Sequence, residues 1–431
     1  MGNDEHQRST LTALLARHDV AEFVEHHANT FITVDAFMQL DMPAGLTPHE
    51  AFDLVEFVRR TGAGTIVCGK RRHCGHDGSW YALTPAFSAK LAHLSYRTRP
   101  RGSLQRQFEQ YRTTKGFYPP RLQELECALS LDGVNVPYET LRELVLHERD
   151  PHTAAEQLAA NALEILRAQD KAENLALSKE LLDDLFVRLE ENVDDLAYRP
   201  VTRPPTVCPS TCDLLSTGFM VDLIQETQPL SGPPIMLLLF CSDGMWKTSV
   251  FERWNNTMEL LVRNLLFGFI GSPMLGCVPL ALPFWRWQMG VAGGASGDVE
   301  YDDAMFLTRY GVDMTLLFWQ LLDMLERGVD ELAAWVREQR ELTQKRRDTV
   351  CASCMLNHRQ QAFVLLLVDK PGLCVGAADY ERRYDVAAST AYADLQKLVD
   401  RGLLVIEMQG KTRMFKASPS FGAMLDRGLG L

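Results

Sequence analysis

The chain has 431 residues, of which 46% are hydrophobic and 9% are aromatic, and its formal net charge is −12. These values exclude a disordered or fibrous protein and leave room for two or three domains, because a domain usually holds about 100 to 200 residues. The acidic charge excludes a protein that coats nucleic acid over its whole surface. Ten cysteines without a secretion signal indicate reduced thiols, and no long apolar run is present, so we expect a cytoplasmic protein that does not bind a membrane.

Residues 1–100 are predicted to form a small α+β domain. Apolar residues three and four positions apart indicate short helices within residues 9–60. The segment GTIVCGKRRHCGHDGSWYALTP then has the pattern of two short strands around a polar turn. An alternative interpretation of this order of helices and a hairpin is that residues 1–100 form a second winged helix.

The turn of this hairpin contains residue types that bind zinc, namely Cys68, His73, Cys74 and His76. Structural zinc sites usually draw on two pairs of ligands that are well separated in sequence, and these four residues lie within nine positions. We therefore favour an ordinary hairpin turn.

Residues 101–345 are predicted to form a helical domain. Amphipathic periodicity dominates from about Arg121 to Arg347. The segment RPVTRPPTVCPSTC interrupts it because proline cannot continue a helix, and GVAGGASGD is a second, Gly-rich loop. We expect the charged segment QKRRD to interrupt the helical pattern and to separate this domain from the last one.

Residues 346–431 are predicted to form a separate C-terminal domain. Periodicity indicates three helices, in the segments LNHRQQAFVLLLVD, AADYERRY and AASTAYADLQKLVDRG. Gly402 is expected to end the third helix. Two strands, LLVIEM and TRMFKAS, follow around the turn Gln409-Gly410-Lys411. This order over residues 357–417 resembles the winged helix-turn-helix family of DNA-binding modules.

The winged-helix resemblance implies a third helix in the major groove and cationic groups on the phosphates. The candidate DNA-binding residues lie on the third helix and the wing: Ser389, Thr390, Tyr392, Lys397, Lys411, Arg413 and Lys416. Residues 340–431 contain 14 Lys and Arg against 10 Asp and Glu, so they carry +4 while the preceding residues carry −16. The third helix lacks an arginine aimed at guanine, so packing or dimerisation stays open as an alternative role.

Three segments of the central region resemble the Fic family. They are ELECALSLDGVNVPYETLRELVL, PPIMLLLFCSDGMWKTSVFERWNNTMELLVRNLLFGFIGSPM and DDAMFLTRYGVDMTLLFWQLLDMLERGVDEL. In the first, Asp132-Gly133 occupies the acidic-Gly position of the family pattern E-x-x-x-S-S-x-I-E-G. The resemblance covers roughly residues 80–420. It implies a mainly α fold, in which a Fic-like helical bundle joins a small α+β N-terminal domain and a C-terminal winged helix-turn-helix.

The loop that carries catalysis in the Fic family has lost its motif here. The family reads H-P-F-x-D/E-G-N-G-R-x-x-R, whereas residues 249–260 read SVFERWNNTMEL. Only Phe251 and Asn255 match, so they are the candidate nucleotide-binding residues of a vestigial loop. The losses are the base (Ser249), the metal-binding carboxylate (Arg253), the glycines (Trp254 and Asn256) and both arginines (Thr257 and Leu260). AMP transfer needs these groups, so the resemblance implies no catalytic residue, no metal and no cofactor.

The same loop has a purely structural interpretation. Phe251 is then a core residue, and Asn255 or Asn256 caps the following helix. Arg253 remains a candidate anion contact beside that helix N-terminus.

The leading hypothesis is a catalytically inactive Fic-like protein that acts as a DNA-binding transcriptional regulator, with a homodimer supplying two half-sites. One alternative is a Fic-type enzyme with altered nucleotide or phosphate-transfer chemistry, which would require ATP and magnesium. Another is a non-catalytic adaptor that binds a protein partner. Cys351-x-x-Cys354 with His358 has metal-like spacing, but no fourth ligand is evident, so we predict ordinary thiols there.

Overall fold

The computed structural model describes most of the chain, and the described residues are mainly α-helical, which confirms the predicted fold class at that level. The described residues are 12–30, 34–61, 65–68, 79–112, 119–146, 149–171, 178–194, 196–197, 235, 251–269, 273–282, 314–370, 372–410 and 412–428. Both loops predicted between helices, the Pro-rich and the Gly-rich one, lie outside them. No helix of the described ranges combines the length and the apolar character needed to cross a membrane.

The chain separates into two compact units. The first unit comprises residues 1–106 and 118–332, and the second comprises residues 107–117 and 333–431. Two of the three boundaries fall inside helices, namely α5 (Ser103–Arg112) and α12 (Thr315–Ala352). The predicted division into three domains stays a prediction.

The described residues of the first unit form helices and a hairpin. Besides α5 and α12, the described helices are α1 (His18–Ala28), α2 (Val34–Met38), α3 (Pro48–Thr61), α4 (Pro85–Thr98), α6 (Pro119–Leu131), α7 (Tyr138–Leu146), α8 (Ala154–Lys171), α9 (Lys179–Leu189), α10 (Asn255–Phe269) and α11 (Pro273–Gly276). Helices α1 to α3 share an apolar cluster that includes Val20, Val24, Phe37 and Leu54.

The predicted N-terminal hairpin is confirmed. Strands β1 (Thr65–Cys68) and β2 (Ser79–Ala82) pair antiparallel over four residues each. The hairpin is fastened to the start of α12 by two hydrogen bonds: the Met314 amide donates to the Trp80 carbonyl at 2.8 Å, and the Ala82 amide donates to Thr315 Oγ1 at 2.9 Å. The turn between the strands, with His73, Cys74 and His76, lies outside the described residues.

The second unit continues from α12 into a small helix-and-sheet module. Its elements are α13 (His358–Asp369), β3 (Cys374–Gly376), α14 (Ala377–Tyr384), α15 (Ala388–Asp400), β4 (Leu404–Gln409), β5 (Thr412–Ala417) and α16 (Phe421–Arg427). The sheet is antiparallel with the order β3-β5-β4. Gly402 has φ +76°, which suits glycine, and it lies just past the C-terminus of α15 as predicted.

The core of this module is built from apolar residues of all its elements. Phe363 of α13 and Tyr380 of α14 make an edge-to-face ring contact, and Leu395 of α15 and Phe415 of β5 are fully buried in the same cluster. The three helices and two long strands therefore lie where the hydrophobic pattern predicted them.

The structure also differs from the sequence prediction in this unit. Strand β3 and helix α16 were not predicted; three residues are too few for an alternation pattern to show. The expected break at QKRRD is wrong, because residues 344–348 lie inside α12. Glutamine, lysine and arginine are good helix formers, and the segment contains neither Gly nor Pro to end a helix.

Candidate functional site

The helix that follows residues 251–254 is almost completely buried. Every side chain of α10 from Asn255 to Phe267 is buried, although the sequence includes asparagine, threonine, glutamate and arginine. Buried polar groups must find hydrogen-bond partners, since an unpaired one costs about 1 to 3 kcal/mol. The partners of α10 include residues of α6, Asp132 after α6, Gln169 of α8, Phe251 and the Val278 carbonyl.

The N-terminus of α10 is capped by Asp132, the residue after α6. Its carboxylate, fully buried, accepts hydrogen bonds from the backbone amides of Asn256 (3.1 Å) and Thr257 (2.8 Å). It also accepts from the Asn256 side-chain amide (2.9 Å) and from the Thr257 hydroxyl (2.7 Å). A helix N-terminus attracts anions. Asp132 therefore occupies the N-terminus of α10, where the sequence had indicated a candidate site for a bound anion.

Burial raises the pKa of Asp132 to about 6, while the hydrogen bonds from Thr257 and Asn256 act in the opposite direction. A carboxyl whose folded-state pKa lies above its ordinary value of 3.8 contributes stability below that value, and loses this contribution as the pH rises through 6. We expect the free energy of unfolding of the wild type, minus that of Asp132→Asn, to fall by at most about 3 kcal/mol between pH 4 and pH 6.5 and then to level off.

Urea denaturation of both proteins, followed by circular dichroism at several pH values, measures this difference. The subtraction removes every other titrating group that the two proteins share. A difference that stays constant, or rises with pH, would show that ionisation of Asp132 is not opposed by burial.

Phe251 and Asn255, the two residues that match the Fic motif, hold one turn together. The Phe251 amide donates to Asn255 Oδ1 at 3.0 Å, and Asn255 Nδ2 donates back to the Phe251 carbonyl at 2.8 Å. The Phe251 ring stacks on Phe186 of α9 with 5.4 Å between centroids. The prediction that Asn255 or Asn256 caps α10 is wrong, because Asp132 provides the cap.

Arg253 and Trp254 both contact one carboxylate oxygen of Glu190, the residue that follows α9. Arg253 forms an ion pair with Glu190 Oε1 at 2.7 Å, and the buried indole of Trp254 donates to the same oxygen at 3.0 Å. Trp254 has φ +59°, a left-handed conformation that favours glycine, and the family motif has glycine at this position. Ser249 lies outside the described residues.

A second buried carboxylate, that of Glu124 on α6, takes part in the same hydrogen-bond network. Glu124 accepts from the backbone amides of Leu280 (2.8 Å), Ala281 (2.7 Å) and Leu282 (3.0 Å). It also pairs with Arg263 of α10 at 2.6 Å. Consecutive amides that converge on one acceptor form an anion-binding nest. In the first unit, both backbone anion sites beside α10 are thus filled by carboxylates of the chain itself.

The predicted DNA-binding residues lie on α15 and on the β4–β5 hairpin of the second unit. Ser389 is exposed and Thr390 is half-buried in the first turn of α15, whereas Lys397 is exposed in its last turn. Eight residues of helix separate Lys397 from Ser389 by about 12 Å along the axis. These candidates therefore do not form one cluster on the helix.

The hairpin is joined to α15 through Tyr392. Arg413 Nη1 donates to the Tyr392 hydroxyl at 2.7 Å, and the Tyr392 ring meets the Phe415 ring edge to face. We call Ser389, Tyr392, Ile406, Met408 and Arg413 the helix–hairpin surface. All five are exposed.

The hairpin offers fewer free cations than its sequence suggested. Lys416 forms an ion pair with Glu407 of the neighbouring strand. Lys411 lies outside the described residues. Arg413 is exposed and keeps its charge on the surface while it contacts Tyr392. Of the two hairpin cations that the structure describes, Arg413 is therefore the better placed to meet an anionic partner.

No protein-family model and no curated protein matches this chain. The site residues therefore have to be interpreted from their own geometry.

Sequence reasoning missed Asp394, the polar centre of the second unit. This buried carboxylate of α15 accepts from the side chains of Asn357 (2.8 Å), Arg359 (2.9 Å) and Gln360 (3.4 Å), which surround the start of α13. The Tyr380 hydroxyl of α14 donates to it at 3.5 Å. A signal was present, because Asp394 falls on the apolar stripe of α15 three residues after Ala391.

Two arginines at the end of α14 were also missed as candidates. Arg382 and Arg383 are both exposed in the last turn of that helix, and Arg382 pairs with Asp379. Their charge was visible in AADYERRY. No group of three or more metal-ligating side chains comes together within the described ranges, and His358 with Cys351 and Cys354 forms none.

Proposed function

We propose that the protein is a DNA-binding regulator, in which residues 357–417 act as a winged helix-turn-helix and the first unit acts as a Fic-like body without AMP-transferase activity. The order of three helices followed by a β-hairpin supports the first part. Asp132 and Glu190 support the second part. Asp132 already occupies the N-terminus of α10, and Glu190 already pairs with Arg253, so neither group is left for a nucleotide phosphate.

The observation that carries the DNA-binding proposal is the N-terminus of α15. Ala388 and Ser389 are exposed there, and the N-cap residue, Ala387, makes no side-chain capping bond. The first amides of a helix need acceptors, and a phosphate satisfies them. In helix-turn-helix modules the N-terminal residues of the third helix approach the major groove. Arg383 at the end of α14 and Arg413 on the hairpin add exposed positive charge from neighbouring elements.

We expect Arg413→Ala to weaken binding of the full chain to duplex DNA by roughly 3- to 10-fold at low salt, and to reduce the slope of log affinity against log salt by about 1. The reason is the loss of one phosphate contact. Fluorescence anisotropy with labelled genomic fragments, titrated at several salt concentrations, measures both quantities.

Arg427→Ala provides the matched control. Arg427 is an exposed arginine of α16, outside the helix–hairpin surface, so this variant removes the same charge from a different place. An equal loss in both variants would indicate a general charge effect and not a contact. Absence of salt-dependent binding by the wild type would overturn the proposal.

A second candidate function is protein binding through the same surface. Ile406 is 38% exposed and Met408 is 58% exposed on β4, close to the exposed ring of Tyr392. Methionine and aromatic residues are enriched at the centre of protein interfaces. If the wild type binds no DNA but forms a dimer or a stable complex that Met408→Glu disrupts, this candidate replaces the first.

A further inference from the structure

The cysteines of the described chain differ between the two units. Cys127 and Cys277 are buried in the first unit, whereas Cys351, Cys354 and Cys374 are exposed in the second. Buried cysteines behave as small apolar residues, but exposed thiols are open to small-molecule reagents. The exposed pair Cys351 and Cys354 is therefore the accessible dithiol of the described residues.

Hydrogen bonds from nearby residues hold the turn that contains Cys351 and Cys354. Cys351 lies in the last turn of α12, and the Ser353 amide donates to the Val350 carbonyl at 3.2 Å, which tightens the helix end. The Gln361 side chain donates to the Ser353 carbonyl at 2.8 Å, and Arg401 donates to the Met355 carbonyl. Contacts from α13 and from the end of α15 thus fix the segment that contains Cys354.

Cys351 lies in the last helical turn and Cys354 in the turn that follows it, and this three-residue separation in sequence is compatible with a disulfide. Cα atoms three residues apart lie about 5 Å apart in an α-helical turn and about 6 Å apart in a 3₁₀ turn. Disulfides join Cα atoms separated by about 4.4 to 6.8 Å.

We propose that Cys351 and Cys354 form a reversible redox modification site, which a low-molecular-weight disulfide such as oxidised glutathione converts into an intramolecular disulfide. The Cys351 thiolate attacks one sulfur of the small disulfide, which forms a mixed disulfide and releases one small thiolate. The Cys354 thiolate then attacks the Cys351 sulfur and releases the second small thiolate. The two protein thiols lose two electrons, the small disulfide gains them, and the protons pass to the released thiolates. This proposal does not depend on DNA binding.

The test is to incubate the reduced full chain with oxidised glutathione and to follow it by intact mass and by peptide mapping. We expect the wild-type peptide that contains both Cys351 and Cys354 to lose the mass of two hydrogen atoms and to carry no glutathione, and dithiothreitol should reverse this change. In Cys351→Ser and in Cys354→Ser, the remaining thiol should instead keep a stable glutathione adduct, because the second displacement has no thiol to perform it.

Cys374→Ser is the matched control, since it removes the third exposed thiol of the second unit and should leave the crosslink unchanged. Three results would overturn the proposal: a wild type that keeps glutathione adducts at both positions, a wild type that does not react at either position, or a crosslink that involves Cys374. None of these results bears on the DNA-binding proposal.

Discussion

Replacing Arg263 with methionine is expected to destabilise the first unit by about 3 to 5 kcal/mol, because two buried carboxylates then lose the cation that they share. Arg263 pairs with Glu124 at 2.6 Å and with Glu259 at 3.0 Å, and all three side chains are at most 2% exposed. Burial acts to lower the pKa of Arg263, but the charges of Glu259 and Glu124 raise it above its ordinary value. The guanidinium is therefore charged, and its removal leaves two buried negative charges without the cation between them.

Urea denaturation followed by circular dichroism measures this loss. Arg142→Met is the matched control: Arg142 pairs with Glu139 on the exposed surface of α7, and such pairs contribute at most about 1 kcal/mol. The triple variant Arg263→Met, Glu124→Gln, Glu259→Gln should recover part of the stability, because the two carboxylates are neutral there. An Arg263→Met protein as stable as the control would show that the buried triad is not needed for this fold.

Replacing Asp394 with alanine is expected to destabilise the second unit by about 3 kcal/mol. The substitution leaves Asn357, Arg359 and Gln360 without their common acceptor at the start of α13. It also removes the partner of the Tyr380 hydroxyl, whose pKa is raised by burial and by the charge of Asp394. The amides of α13 and α15 should then exchange with solvent about 100-fold faster, since each 1.4 kcal/mol corresponds to a factor of ten.

Hydrogen exchange monitored by mass spectrometry resolves these helices within the full chain. Asp400→Ala is the matched control, because Asp400 lies on the same helix but is exposed and accepts from Gln396 of its own helix. Its effect should stay within about 0.5 kcal/mol. Faster exchange in α6 or α10 of Asp394→Ala, with none in α13, would contradict the role assigned to Asp394.

The sequence predicted most elements of the second unit, because most of them show a local pattern of apolar and polar residues. The helical periodicity of α13, α14 and α15 and the alternation of β4 and β5 depend only on neighbouring residues. Strand β3 is too short to show such a pattern. The charged segment 344–348 was misread because charge was taken as a break, although its residue types favour a helix.

The candidate sites were predicted less well, because a site depends on which side chains meet. The sequence marked Arg253, Lys411, Arg413 and Lys416 as cations and Asn255 as a helix cap. In the structure Arg253 and Lys416 pair with glutamates, and the cap comes from Asp132. Charge and residue type are local properties, but whether a cation is neutralised depends on an acceptor elsewhere in the chain.

The sequence by itself determined the mainly helical fold, the N-terminal hairpin, and the C-terminal helices and hairpin. Only the tertiary structure decided how the buried polar groups are satisfied. Asp132 reaches the start of α10 across 124 positions of sequence, and Glu124 reaches residues 280–282 across more than 150. Periodicity tells which face of a helix is buried, but only packing brings such distant partners within hydrogen-bonding distance.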